Sequence, residues 1–150
     1  MFTHVLVPVD GSDHAQTAID YGTEIAHKFD AKLTLLHIVK SHDIGGVPEQ
    51  LSEYARAEHL QLGASDALLG LGREILTHAV ERARSKGADK VEAVTEVGNP
   101  AKTICAYAGN HDVDLIVMGR RGLSDLSGLL VGSISHKVAH LSKCPCMTVV

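Results

Sequence analysis

Two stretches of the chain are apolar at almost every position, Val5-Leu6-Val7-Pro8-Val9 and Leu33-Thr34-Leu35-Leu36-His37-Ile38-Val39. A third, Leu115-Ile116-Val117-Met118, follows far downstream. A strand with apolar side chains on both faces must be covered on both faces, which is the condition of a parallel sheet held between helices. The segments between them carry helical spacing. After Gly11 breaks the first run, Ser12 is placed to cap a helix whose apolar face is Ala15, Ala18, Ile19, Gly22, Ile25 and Ala26. A longer helix is expected from about Ser65 to Lys86, with Leu68, Leu69, Ile75, Leu76, Ala79, Val80 and Ala83 as its stripe and Gly87 as its C-terminal stop.

Val91 to Val97 alternates apolar and polar, so a half-exposed or edge strand is expected there. Asn99-Pro100 reads as an N-cap followed by proline at the first helical position. That helix should run to about Asn110, followed by a strand at Asp114–Met118, a helix at Ser133–Ser142 and a last strand at Cys146–Val150. Ser41 to Pro48 reads as a loop, and Pro48 to Leu60 as a short helix. The order β-α-β-α-β-α-β-α-β predicts one doubly wound α/β domain over residues 1–150, a five-stranded parallel sheet with helices on both faces. If the chain winds outward from the first strand and the fourth returns to its other side, the strand order is 3-2-1-4-5. Ligands in such sheets bind beyond the carboxyl ends of the strands where the order reverses, here between the first and fourth.

Composition narrows the function classes. The 150 residues are 45% hydrophobic and 21% charged, with a net charge of −4, so a general nucleic-acid surface, which needs a basic excess, is disfavoured. The apolar runs are too short to cross a membrane. The first residues lack the basic region of a secretory signal, so a cytoplasmic location is the expectation. Cys105, Cys144 and Cys146 fit neither a structural zinc nor a CxxC redox pattern. His136 and His140 stand four apart on one helix face, but no Glu or Cys partner completes a metal site. His4 and His37 fall in strands and read as core or edge residues. Gly70-Leu71-Gly72 falls inside a helical pattern and reads as packing.

The functional clue lies after the fourth strand. Gly119-Arg120-Arg121-Gly122 is followed by Gly132-Ser133-Ile134-Ser135, a Gly-x2-Gly-x9-Gly-Ser spacing that leads into a helix. Glycines let backbone approach a ligand closely, and a helix start offers free N–H groups to an anion, so the segment suggests a phosphate cradle. The same glycines could equally form a purely structural connection. Asp10, ending the first strand, could be a ligand group or an Asx-turn residue. There is no GxxxxGK[ST] and no GxGxxG after the first strand, so the common P-loop and dinucleotide signatures are absent.

Val7-Pro8-Val9-Asp10-Gly11-Ser12, Gly98-Asn99-Pro100-Ala101, Asp114 to Gly122, Gly132-Ser133-Ile134-Ser135 and Cys144-Pro145 occur in that order. With these pieces the chain resembles the universal stress protein family over essentially its whole length, and the glycine spacing resembles that of its ATP-binding branch. The resemblance implies an adenine-nucleotide alpha hydrolase-like fold. It implies ATP as ligand, with magnesium as an optional companion. Asp10 and the Pro8-Val9 backbone would meet the adenosine end, Val39 would contact adenine through its backbone, and Met118 and Gly119 would line base and ribose. Gly122, Gly132, Ser133, Ile134 and Ser135 would hold phosphates, with Arg121 adding positive charge. It also implies a homodimer through the last strand, Met147, Thr148, Val149 and Val150. No catalytic constellation is evident. Three readings follow: a dimeric nucleotide-dependent regulatory module with little turnover, a slow ATP hydrolase in the same cleft, or a scaffold that binds no nucleotide.

Overall fold

The computed structural model describes residues 1–40, 64–123 and 132–150. The loop and short helix expected between 41 and 60 lie outside the described residues. In chain order the elements are β1 (His4–Pro8), α1 (Asp13–Phe29), β2 (Lys32–Lys40), α2 (Ala64–Ser85), β3 (Val91–Gly98), α3 (Pro100–Asn110), β4 (Leu115–Gly119), α4 (Ser133–Leu141) and β5 (Cys146–Val149). The five strands form one parallel sheet in the order β3-β2-β1-β4-β5. The expected fold class and strand order are both present, and β3 is an edge strand with most of its side chains exposed or half-buried.

The period of two along each strand sorts the apolar residues into two cores. Val5, Val7, Leu33, Leu35, Leu115 and Val117 face α1 and α2, where Ala18, Ile19, Ala26, Leu76, Ala79 and Ala83 cover them. Leu6, Leu36, Ile116 and Met118 face α3 and α4, against Ala101, Ile104, Tyr107, Ala108 and Val138. Local chemistry sets the helix ends. The Ser12 hydroxyl accepts from Ala15 N–H at 3.2 Å, and Asn99 accepts from Lys102 N–H at 3.2 Å with Pro100 at the helix start. Gly87 adopts φ +94 just past α2, the left-handed conformation that ends a helix cheaply only for glycine.

The β1–β4 pairing is short. Its register covers only Val5↔Leu115 and Leu6↔Ile116, whereas β1–β2 continues to Pro8↔Leu36 and β4–β5 to Gly119↔Val149. The two central strands therefore part at their carboxyl ends. At the opposite end they are pinned together. The Asp114 carboxylate accepts from Thr3 N–H and Thr3 Oγ, each at 2.7 Å, and from His4 N–H at 3.2 Å. Beside it His4 is buried, with Nδ1 2.9 Å from the His111 carbonyl and Nε2 2.8 Å from Thr34 Oγ1. A carbonyl can only accept, so Nδ1 carries the proton, and in the neutral ring Nε2 accepts from Thr34. His4 is thus a satisfied core histidine.

On the other face Arg82 reaches Asp20 through Nε at 2.7 Å and through its second nitrogen at 2.8 Å, and Lys86 adds a contact at 3.1 Å. This ties α2 to α1. Burial alone would raise the Asp20 carboxyl, but the hydrogen bonds and charges of Arg82 and Lys86 outweigh it and hold the pKa below its ordinary value. Asp114 is likewise lowered, its burial outweighed by the Thr3 and His4 donors. A carboxylate whose folded pKa is depressed contributes stability that is present above the unfolded value and lost as pH falls through the folded one. Stability should therefore fall below about pH 4. Asp114→Asn should cost about 1–2 kcal/mol at neutral pH and flatten that acid limb in urea titrations.

Two helix glycines give opposite expectations. A Cβ on Gly22 of α1 would collide with Val7 Cγ2, a fully buried side chain, so the absence of a side chain lets α1 lie close on β1. Gly70 of α2 would meet nothing within 4 Å, while Gly72 sits against the His37 ring. Gly72 is thus packing as the sequence suggests, and Gly70 is not. Gly22→Ala should destabilise by about 1–2 kcal/mol, whereas Gly70→Ala should stabilise by about 0.5–1 kcal/mol in the same denaturation assay.

Candidate functional site

Where β1 and β4 part, a cavity of about 360 Å³ opens, within the usual range for small-molecule sites. β1 contributes Pro8, and the turn after it Val9 and Asp10. β2 contributes Val39. β4 and the turn after it contribute Met118, Gly119, Arg121 and Gly122, and the start of α4 contributes Gly132, Ser133, Ile134 and Ser135. The residues that the sequence assigns to the nucleotide cleft all stand on the wall of one cavity.

The groups do not all do what their types suggest. Gly132 is the N-cap of α4 with no side-chain capping bond, as a glycine must be, so the first turn of the helix presents bare backbone. Gly132's own N–H is committed to the Arg120 carbonyl at 2.8 Å, and the His136 N–H begins the helical ladder by donating to Gly132 at 3.0 Å. The N–H groups of Ser133, Ile134 and Ser135 lie between these and are the first-turn donors of the helix. The Ser135 hydroxyl is buried and donates to the Arg120 and Gly132 carbonyls at 2.7 and 3.0 Å. The candidate anion-facing set is therefore narrower than the sequence implies: three N–H groups, the exposed Ser133 hydroxyl and Arg121, whose Nε is buried without a partner among the described residues.

The glycines of the turn after β4 are needed first for packing. A Cβ on Gly119 would lie 2.7 Å from His14 Cβ and 2.8 and 2.9 Å from the His14 backbone carbon and oxygen, so Gly119 admits the first turn of α1 against β4. A Cβ on Gly122 would lie 2.5 Å from Asp10 Oδ2. That oxygen accepts from Leu123 N–H at 3.0 Å, while Oδ1 accepts from Ser12 N–H at 3.0 Å and Ser12 Oγ at 2.6 Å. Asp10 is an Asx-turn residue and a bridge to the β4 turn at once.

Other residues line the cleft that the sequence did not single out for it. His37 holds the Val9 carbonyl through Nδ1 at 2.9 Å, and Lys40 ends β2 at the rim. Leu68, Leu71 and Ile75 of α2 form an apolar wall. The position of His37 and Lys40 at the end of a central strand was the available signal. In the sequence Leu68 and Ile75 belong to the apolar stripe of the helix and Leu71 to the Gly70-Leu71-Gly72 packing segment; in the structure all three line the cavity. Leu71 and Leu123 are more than half exposed, at 55% and 66%. They add exposed apolar surface to the cavity lining.

The remaining candidate groups have ordinary environments. Cys105, Cys144 and Cys146 are free and half-buried. Burial, and then the neighbouring Cys146 and Cys144, pushes the Cys105 thiol up, which disfavours the reactive thiolate. His136 and His140 are exposed, and among the described residues no cluster of His, Cys, Asp or Glu is arranged to hold a metal ion. Among the described residues no helix is long and apolar enough to cross a membrane.

Comparison with known proteins agrees with this architecture. The family model described as the Universal stress protein family matches residues 1–149. The universal stress protein YxiE of Bacillus subtilis is 36% identical over 157 aligned positions, covering 99% of each chain. A universal stress protein of Mycobacterium tuberculosis is 35% identical over 141 positions, covering 93% of this chain and 90% of its own. The solved structure of a universal stress protein in complex with cAMP superposes with a TM-score of 0.73 at 29% identity, covering 99% of this chain and 97% of the other.

The Gly119 contact is directly testable. Backbone of α1 cannot swing aside as a side chain can, so Gly119→Ala should lose about 2 kcal/mol in urea unfolding. A neutral result would show that α1 and β4 have slack between them.

Proposed function

The chain belongs to the universal stress protein family, and on that premise we propose that it binds an adenine nucleotide, ATP foremost, in the cleft between the carboxyl ends of β1 and β4. The observation that carries this reading is the polarity of the cavity. Its lining joins apolar residues, Val9, Val39, Met118 and Leu68, which suit an aromatic base, to the α4 N-terminus and Arg121, which suit phosphate. Pro8, Val9 and Val39 would meet the adenosine end, with Met118 and Gly119 along base and ribose; the Val9 N–H and carbonyl are themselves taken by the Leu36 carbonyl and His37. Ser133, Ile134 and Ser135 would hold phosphate through N–H groups. The relative solved with cAMP lends support, since cAMP joins the same base to a phosphate. Magnesium would travel with the phosphates and is given no protein ligand in this reading.

We read the protein as a regulatory module with little or no turnover, pairing through the free edge of β5 at Met147, Thr148 and Val149, with Val150 beyond it. Hydrolysis would need a group free to activate water. Asp10, the carboxylate in the cleft, has both oxygens engaged by three protein donors, which favours binding over catalysis.

Calorimetric titration with ATP, ADP and AMP tests the reading. Saturable binding of ATP is expected; absence of binding by all three at millimolar concentration would sink it. Ser133→Pro is the informative variant, because proline is well suited to the first helical position and Gly132 already has the extended conformation that precedes proline (φ −67, ψ 148). It removes one N–H and one hydroxyl from the cradle without breaking the helix. ATP affinity should fall about tenfold with the melting temperature unchanged.

A further inference from the structure

The β1–β2 ladder ends at Pro8↔Leu36, just short of the turn that carries Asp10. Val9 is held beyond that end in two ways. Its N–H donates to the Leu36 carbonyl at 2.9 Å, as the next rung of a parallel ladder should. Its carbonyl, which a continued ladder would offer to the Ile38 N–H, is met by the His37 side chain, with Nδ1 at 2.9 Å. A carbonyl only accepts, so Nδ1 carries the proton and the ring stands in for a main-chain donor. The consequence passes through one peptide plane. The Val9 carbonyl and the Asp10 N–H belong to the same trans unit and point in opposite directions. Held toward β2 by its oxygen, that unit sets the direction in which Asp10 leaves β1 and enters the cleft. Helix α2 is shaped around the ring. Gly72 lies inside the helix, where glycine is a poor former, and it is not among the glycines with positive φ, so its backbone does not demand glycine. A Cβ there would lie 2.7 Å from His37 Cδ2 and 3.2 Å from Nε2. A free side chain could swing away from that contact; a ring bonded at Nδ1 would give up the Val9 carbonyl to do so.

We propose that His37 is a positioning residue of the cleft: its Nδ1–H fixes the Val9–Asp10 peptide, and through it the approach of Asp10 to the ligand, with Gly72 leaving the room the ring needs. The consequence for binding rests on the nucleotide reading; the bond to Val9 is a property of the ligand-free protein. Three substitutions separate the roles of the ring. Asn carries an NH₂ group at the place of Nδ1 and nothing at that of Nε2. Gln reaches the place of Nε2 and leaves that of Nδ1 without a donor. Phe fills the space of the ring and donates nothing.

ATP is titrated by calorimetry into wild type and into His37→Asn, His37→Gln and His37→Phe, with thermal melting as the fold control. His37→Phe and His37→Gln should bind about tenfold more weakly than wild type, the effect of one hydrogen bond, and His37→Asn should regain most of that loss. Rescue by Gln in place of Asn means direct contact between Nε2 and the ligand and overturns the proposal. Wild-type affinity in His37→Phe, or a loss in His37→Asn as large as in His37→Phe, overturns it as well. Should the variants fail to fold, the wild type supplies a second readout that needs no ligand. Nitrogen NMR of the imidazole, recorded where the ring is neutral and assigned through the His37 backbone, should show the Nδ1–H tautomer. A dominant Nε2–H tautomer overturns the proposal whatever the affinities. If wild type binds no ATP, the nucleotide reading fails, and the tautomer still decides the hold on Val9.

Discussion

Everything at the functional end of this molecule depends on β1 and β4 staying adjacent while separating. Parallel strands from opposite winding directions meet here, and their helical connections leave on opposite sides, so the strands themselves leave a space between them. Two register pairs hold the strands together. A carboxylate stands at each end of that short ladder. Asp114 ties the start of β4 to Thr3 and His4, and Asp10 ties the turn after β1 to Leu123. Both work by accepting several N–H or O–H donors at once, which suits a carboxylate better than any neutral side chain. The lowered pKa of Asp114 follows from the same cause, donors that favour the charged form over the cost of burial.

Glycine serves this arrangement in three separable ways. Gly87 supplies a left-handed backbone, where any side chain is strained. Gly22 and Gly119 supply thinness, letting α1 press on Val7 and letting its first turn meet β4. Gly122 supplies room for another residue's carboxylate. Only Gly132 is placed as a cradle glycine in the simple sense, since it caps α4 without offering a side chain that would compete for the first-turn N–H groups. A glycine spacing read as a single ligand-binding device is thus several packing solutions that together leave one bare helix terminus facing the cleft.

The fold was largely legible because its determinants are local. Runs apolar on both faces demanded cover on both faces, and Ser12, Asn99-Pro100 and Gly87 fixed helix ends through contacts within a few residues. The cleft wall was legible because strand ends and turn residues follow from the winding rule, which placed Asp10 opposite Gly119–Gly122. The division of labour within it was hidden. That Asp10 meets Leu123 depends on a partner 113 residues off, and whether Ser135 offers its hydroxyl outward depends on where the Arg120 carbonyl lies. The sequence reads the apolar residues of α2 as one stripe, but only the three-dimensional path shows that Leu76, Ala79 and Ala83 bury against the sheet while Leu68, with Leu71 from outside that stripe, lines the cavity.

The distribution of satisfied and unsatisfied groups argues for binding over chemistry. Enzymes that activate water keep a base within reach of it and tune that base by burial or by a charge partner. Here the acidic group in the cleft already accepts from protein donors, the Ser135 hydroxyl is spent on a carbonyl, and His37 is turned by its Nδ1 toward Val9. What is left over are donors: the first-turn N–H groups of α4, the Ser133 hydroxyl and the Arg121 Nε. Such donors can neutralise and orient an anion, while His37, whose Nδ1 is directed at the Val9 carbonyl, keeps its Nε2 as an acceptor in the cleft.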